Sequence, residues 1–202
     1  MLRVGLTGGL ASGKSHVGRA LAELGCHLIS ADELGHQSLE PGGEAYEPVI
    51  REFGGGILDE RGFVDRRRLA AEVFGDPERL NRLNGFVHPV VVRREEELIA
   101  QAAAAEPEGI AVVEAAILIE TGSWRRFDRL ILAVCPLESQ VERAMKRDGI
   151  TREQALTRIA RQMPLDEKKK YAHYVIDTSG SREDTYNQTV EVFRSLRSIR
   201  QL

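Results

Sequence analysis

Cysteine is scarce. Cys26 and Cys135 are the two in 202 residues, and their separation suits neither a disulfide framework nor a metal site. Both sit beside apolar runs and are expected to be buried small hydrophobes. Charge of one sign is not in excess either. A net charge of −3 and a pI near 6.0 give no global basic field to draw the chain to nucleic acid or an anionic membrane. The longest apolar runs, such as Leu130-Ile131-Leu132-Ala133-Val134-Cys135, are strand-length and far short of a bilayer span. The sequence starts directly in a strand pattern, with no leader pattern ahead of it, so a cytosolic setting is expected. Internal repeats and low-complexity segments are absent too. The Ala-rich run at Gln101–Ala105 reads as the end of a helix. What remains is ordinary globular composition, 42% apolar and 29% charged, with length for one α/β domain carrying insertions.

The chain opens on an apolar run that leads into Gly8-Gly9-Leu10-Ala11-Ser12-Gly13-Lys14-Ser15. This is G-x-x-x-x-G-K-[ST], at the exit of one predicted strand and the beginning of a predicted helix. Such glycines let the backbone curl until successive N–H groups face phosphate oxygens, and the helix from Lys14 brings its positive dipole end beneath them. Gly8, Gly9, Ala11, Ser12, Gly13, Lys14 and Ser15 are therefore expected to bind a nucleoside triphosphate. Lys14 would reach the β- and γ-phosphates, and the Ser15 hydroxyl would ligate Mg2+.

Strand signals recur at about 2–7, 27–30, 110–118, 129–135 and 174–177, with helical stretches between them. The alternation predicts a three-layer α/β/α fold around a five-stranded parallel sheet. The gap between the second and third strands far exceeds a simple crossover and predicts a helical insertion. A hairpin is expected in it at 55–65, and His88-Pro89 is expected to interrupt its helical pattern. A second polar helical insertion, 137–163, lies between Pro136 and Pro164 and reads as a lid. The expected division is a core of 1–31, 92–136 and 164–202, an acceptor subdomain of 32–91 and a lid of 137–163. Arg182–Leu202 reads as an amphipathic helix closing over the sheet.

Asp32 follows the second strand, on the sheet edge where parallel sheets bind ligands. There a carboxylate can take the proton of an attacking hydroxyl, or simply cap a helix; position alone supports both readings. Arg143 and Arg147, four residues apart, share a helix face in the lid. They suit neutralisation of a transferring phosphoryl group, or an ordinary solvated face. Glu114, ending a buried strand, suits the water shell of Mg2+ or a carboxylate satisfied by backbone donors. His88 suits a substrate contact or a structural hydrogen bond. The run Arg66-Arg67-Arg68 spreads around its helix and reads as solvated surface. A guanine-reading N-K-x-D is absent, and Asp59-Glu60-Arg61-Gly62 is better read as a turn than as the D-x-x-G of a regulatory GTPase. A phosphate loop with two helical insertions is the layout of a small-molecule kinase.

Within that class the motifs resemble the dephospho-CoA kinase family nearly end to end. They are Leu6-Thr7-Gly8-Gly9 with Ser12-Gly13-Lys14-Ser15, Ala31-Asp32, Pro41-Gly42-Gly43 with Ala45-Tyr46, Phe53-Gly54, Ile57-Leu58, Gly62, Val64-Asp65-Arg66 and Val87-His88-Pro89. Further on come Glu142-Arg143, Arg147-Asp148, Arg158, Gln162, Val175-Ile176-Asp177, Ser179 and Gly180. The resemblance implies phosphorylation of the 3′-hydroxyl of dephospho-CoA by ATP with Mg2+. It implies Asp32, Lys14 and Arg143 as catalytic residues, the loop segment with His16 added, Arg143 and Arg147 on ATP, and Asp32, Tyr46, His88 and Pro89 on the acceptor. Ser15 and, through water, Glu114 would hold the metal. The implied partners are two small molecules, with neither nucleic acid nor membrane, and the implied state is a monomer or weak homo-oligomer. Two positions depart from the family pattern: His16 stands where Thr is common. In Glu114-Ala115-Ala116-Ile117-Leu118-Ile119-Glu120 a usual Pro is missing, which leaves the geometry of Glu114 and Glu120 open.

Overall fold

The computed structural model describes residues 1–73 and 75–199, and the described chain divides into two units. The first, Met1–Ser30 with Gln101–Leu202, is built on strands β1 (Leu2–Gly8), β2 (His27–Ser30), β3 (Ile110–Glu114), β4 (Arg129–Val134) and β5 (Tyr174–Asp177). Among the described residues these form one parallel sheet in the order β2-β3-β1-β4-β5. Its central strands are nearly continuous apolar runs, as strands covered on both faces must be. Helices α1 (Lys14–Glu23) and α9 (Arg182–Ile199) bury Val17, Leu21, Val192 and Leu196 against Val4, Leu6, Val112, Ile131 and Ile176. Cys26 joins that core and Cys135 is buried elsewhere. Burial pushes the Cys26 thiol up to about 12 and raises Cys135 as well, so neither is a ready thiolate. Residues 200–202 of the expected terminal helix lie outside the described residues.

The third strand stops at Glu114, earlier than its apolar pattern predicts. β2 ends there, with Ser30 opposite Glu114, while β1 runs on past Leu6 to Gly8 paired with β4. After one further bond from the Ala115 N–H to the Leu6 carbonyl, the chain turns. The expected lid segment forms α6 (Leu137–Asp148) and α7 (Arg152–Ala160), followed by the short α8 (Leu165–Lys169). Pro136 and Pro164 stand immediately before α6 and α8, where the missing N–H costs nothing. Thr151 and Gln154 form a reciprocal cap that starts α7, and Arg152 grips both carboxylate oxygens of Glu138 to tie α7 to α6.

The second unit, Ala31–Ala100, contains α2 (Ala31–Ser38), α3 (Tyr46–Phe53), α4 (Arg66–Val73) and most of α5 (Pro77–Ala105). Ala45, Val49, Ile57, Leu69 and Val73 make its small core. The Asp65 carboxylate accepts the Arg67 and Arg68 N–H groups, and Asp76 those of Glu78 and Arg79, so both later helices start on an acidic cap. Two expectations need correction here. His88-Pro89 does not interrupt a helix: α5 runs through Pro89. The residue four positions earlier, whose carbonyl the proline ring would crowd, is Gly85, where an added Cβ would face open space. The hairpin at 55–65 shrinks to a 3-10 turn at Gly55–Ile57 and a single antiparallel bridge, Leu58 to Val64. The Asp59 carboxylate accepts the Arg61 and Phe63 N–H groups and spends the local donors on a turn.

Burial holds His88 below the usual imidazole range, and it does the same to His36, with Arg66 adding to the effect against Asp32, Glu33 and Glu40. A histidine depressed in the folded state takes up protons more readily unfolded. Its share of stability is present above its ordinary value of 6.5 and is lost as pH falls through and below it. Denaturant midpoints should therefore fall between about pH 7.5 and pH 5.5, and the pair His36→Gln with His88→Gln should flatten that slope. An unchanged slope in the double variant would contradict the assignment.

Candidate active site

β1 delivers the chain to Gly8 in the middle of the sheet, and α1 leaves from Lys14. Between them the backbone adopts conformations that few side chains tolerate. Gly13 has φ of +84°, and Ala11 is the non-glycine residue at positive φ among those described, at +53°. Strain of that kind is kept where the surroundings over-determine it. A Cβ on Gly8 would meet the Ser12 hydroxyl at 2.2 Å, and one on Gly9 the Gln140 amide oxygen at 2.6 Å. The Ser12 hydroxyl, fully buried, has no hydrogen-bond partner. An orphaned buried hydroxyl inside a cradle of turned backbone is what a phosphate site presents before its anion arrives.

Glu114 links this loop to the sheet. The Ser15 hydroxyl donates to Glu114 Oε1 at 2.5 Å, and Lys14 Nζ lies 3.9 Å from the same oxygen, both side chains about a tenth exposed. The carboxylate is thus satisfied by side chains of the loop itself, which decides against the reading of a strand end tied to backbone donors. A carboxylate beside a hydroxyl is a hard-oxygen donor pair of the kind Mg2+ takes together with phosphate oxygens and water. Among the described residues no group of three or more His, Cys, Asp or Glu could hold a metal alone, so these residues fit Mg2+ carried in with a nucleotide. The His16 N–H bonds the Gly13 carbonyl at 2.9 Å, and its ring nitrogen lies 3.5 Å from the Arg182 carbonyl.

Arg143 does not dangle from the lid. It donates to the Thr178 hydroxyl at 3.1 Å and to the Thr178 carbonyl at 2.7 Å. Thr178 Oγ1 lies 2.8 Å from the Ser12 carbonyl, so the arginine is pre-placed one residue from the phosphate loop. Arg147 instead makes two bonds to Asp148 at 2.7 and 3.0 Å. The lid core of Val141, Ala144 and Ala155 packs on Leu10 and Ala11 of the loop. Beside it a cavity of about 650 Å³ is lined by Gly9, Gln140, Gln162, Asp166 and Asp177 among others, a volume in the range of nucleotide-sized sites.

The other expected site residues belong to the second unit. Asp32 is exposed and is the second residue of α2, not its cap. An acid in that first turn also favours the positive end of the helix dipole. The Tyr46 hydroxyl donates to the Gly62 carbonyl, and His88 is half-buried on α5. The residues that sequence reasoning passed over are Thr178 and Lys168, and Glu120, whose geometry it left open, joins them. Lys168 looks like one charge in an acidic and basic run. Yet Asp166 pairs with Lys169 and Glu167 with Lys170, so the i,i+3 pattern leaves Lys168 without a local acid, and it is wholly buried.

The family described as dephospho-CoA kinase matches residues 2–184. A dephospho-CoA kinase from Aquifex aeolicus is 41% identical over 196 residues, 97% of this chain and 98% of that protein. The chain belongs to the dephospho-CoA kinase family. A solved structure from Thermus thermophilus superposes with a TM-score of 0.80 at 32% identity, covering 96% of both chains. Dephospho-CoA kinase from Campylobacter jejuni does so at 0.68 and 26%, covering 97% of both. The chain is accordingly a kinase of the phosphate-loop α/β class.

Two glycines test how the family's loop is built here. Gly13 and Gly25 both need positive φ, but a Cβ on Gly25 meets nothing within 4 Å, whereas one on Gly13 comes within 2.8 Å of Thr178 Oγ1. Gly25→Ala and Gly13→Ala should each lose on the order of 1–2 kcal/mol of stability. Gly13→Ala alone should also weaken binding of a fluorescent ATP analogue, by about tenfold or more. Equal ATP affinity in the two variants would contradict this.

Proposed function

We propose that this chain transfers the γ-phosphate of ATP to the 3′-hydroxyl of dephospho-CoA, giving coenzyme A and ADP, the last step of coenzyme A synthesis. The observation that carries the reading is the joint engagement of Lys14 and Ser15 by Glu114 within a strained phosphate loop, in a chain of this family. In the transfer, the acceptor oxygen bonds to the γ-phosphorus as the bond to the β-phosphate oxygen breaks. Asp32 takes the hydroxyl proton and aligns the nucleophile. Lys14 stabilises charge on the β- and γ-phosphate oxygens, and the loop amides hold them where the transition state needs them. Bound with the nucleotide, Mg2+ supplies further charge neutralisation; Ser15 and, through water, Glu114 would hold it. Arg143, fixed on Thr178, contacts ATP from the lid side, with Arg147 assigned to the same nucleotide, and closure over them keeps water out. Tyr46, His88 and Pro89 belong to the acceptor unit. Among the described residues no helix is long and apolar enough to cross a membrane, and the enzyme works in the cytoplasm as a monomer or weak homo-oligomer.

ADP release with dephospho-CoA should far exceed that with any nucleoside or nucleoside monophosphate, and should be near zero without acceptor. A nucleoside monophosphate as best acceptor would replace this reading with that of a nucleotide kinase. Acceptor-independent hydrolysis would replace it with a regulatory switch. Asp32→Asn should lower kcat by about two to four orders of magnitude and leave the Kd for ATP within about twofold. Near-normal turnover would remove Asp32 as the base.

A further inference from the structure

We infer that Lys168 is a positioning residue for the phosphate loop, anchored by Glu120 and pinning the Gly8 carbonyl where β1 turns into that loop. This rests on the reading that the loop holds ATP. Lys168 is fully buried at the end of α8. Its ammonium donates to the Gly8 carbonyl at 3.1 Å and the Ala116 carbonyl at 3.0 Å, and it pairs with Glu120 Oε1 at 2.8 Å. An ammonium has three donors and no more. All three are spent on protein, so Lys168 has none left for a phosphate and acts through what it holds.

What it holds is the geometry of the site. In a planar trans peptide the carbonyl and the following N–H point in opposite directions. Fixing the Gly8 oxygen toward Lys168 therefore turns the Gly9 N–H the other way. The same stretch of chain holds the next amide along, because Gln162 Oε1 accepts the Leu10 N–H at 2.7 Å. Ala116 follows Glu114 by two residues, and its carbonyl also accepts the Thr7 hydroxyl at 3.2 Å. One buried cation thus ties the beginning of the loop to the segment that presents the loop's carboxylate. Glu120 in turn accepts the Met163 N–H at 3.1 Å, which brings the end of the lid into the same network. Burial holds Lys168 below the usual lysine range; Glu120 opposes that shift and the nearby Lys14 adds to it.

A positioning role and a simple charge effect differ in sign. Lys168→Met removes a positive charge near the loop, and Glu120→Ala removes a negative one. If the pair acts through its field on the triphosphate, the first should weaken ATP binding and the second tighten it. If it acts by holding backbone, both should weaken binding. We expect Lys168→Met to raise the Kd for a fluorescent ATP analogue by about tenfold or more and Glu120→Ala by about threefold or more, per folded molecule and well below the melting temperature. The double variant should match Lys168→Met, because the two act as one unit. The KM for dephospho-CoA should stay within about twofold. Tighter ATP binding in Glu120→Ala overturns the inference, as do wild-type affinities in both variants accompanied only by lower melting temperatures. Should Lys168→Met fail to fold, Glu120→Ala, which alters a partly exposed side chain, decides by the same signs. A wild-type protein that does not bind ATP overturns both readings. Equal affinity in wild type and variants overturns this one alone.

Discussion

A backbone that turns its N–H groups toward an anion forfeits its own ladder bonds, and the rest of this molecule is arranged around holding such a backbone still. Between Gly8 and Lys14 neither sheet nor helix supplies a full set of partners. Side chains supply them instead. Thr178 takes the Ser12 carbonyl, Lys168 the Gly8 carbonyl and Gln162 the Leu10 N–H. These three come from the far end of the chain, residues 162–178, so the loop's backbone is held only when that segment has packed against it.

That dependence also accounts for the missing proline after Glu114. A ring at that point would stiffen the turn covalently. Here Ala115-Ala116 stands at that point, and the Ala116 carbonyl is held by Thr7 and Lys168 together. Glu114 and Glu120, whose geometry the sequence left open, take different tasks. Glu114 grips the loop's own Lys14 and Ser15, and Glu120 neutralises the buried lysine beneath it. Burying an ammonium without such a partner would cost several kcal/mol, on the order given for unpaired buried ions.

The five strands and the phosphate loop were legible because their signals are local: apolar runs of strand length, then glycines and Gly-Lys-Ser. The prolines at 136 and 164 were legible for the same reason, whereas the cap at Thr151 emerges from the structure. What local pattern could not reveal was that β3 stops at Glu114, where the neighbouring β2 also ends. Nor could it show that α5 continues through Pro89. Lys168 was hidden too. Its neighbours form ordinary i,i+3 pairs, and its own acceptors lie at residues 8, 116 and 120, brought together only by the fold. Asp32 shows the opposite case, since its position after β2 supported both a base and a cap, and the fold places it in the first turn of α2.

The central claim is a transfer, so the fate of the phosphorus tests it most directly. With γ-phosphate-labelled ATP and dephospho-CoA, the label should appear in a product one phosphate heavier than the acceptor, as a monoester on the ribose 3′ oxygen. Little should be recovered as inorganic phosphate. Label released to water while dephospho-CoA remains unchanged, or found on any other acceptor oxygen, would contradict the account.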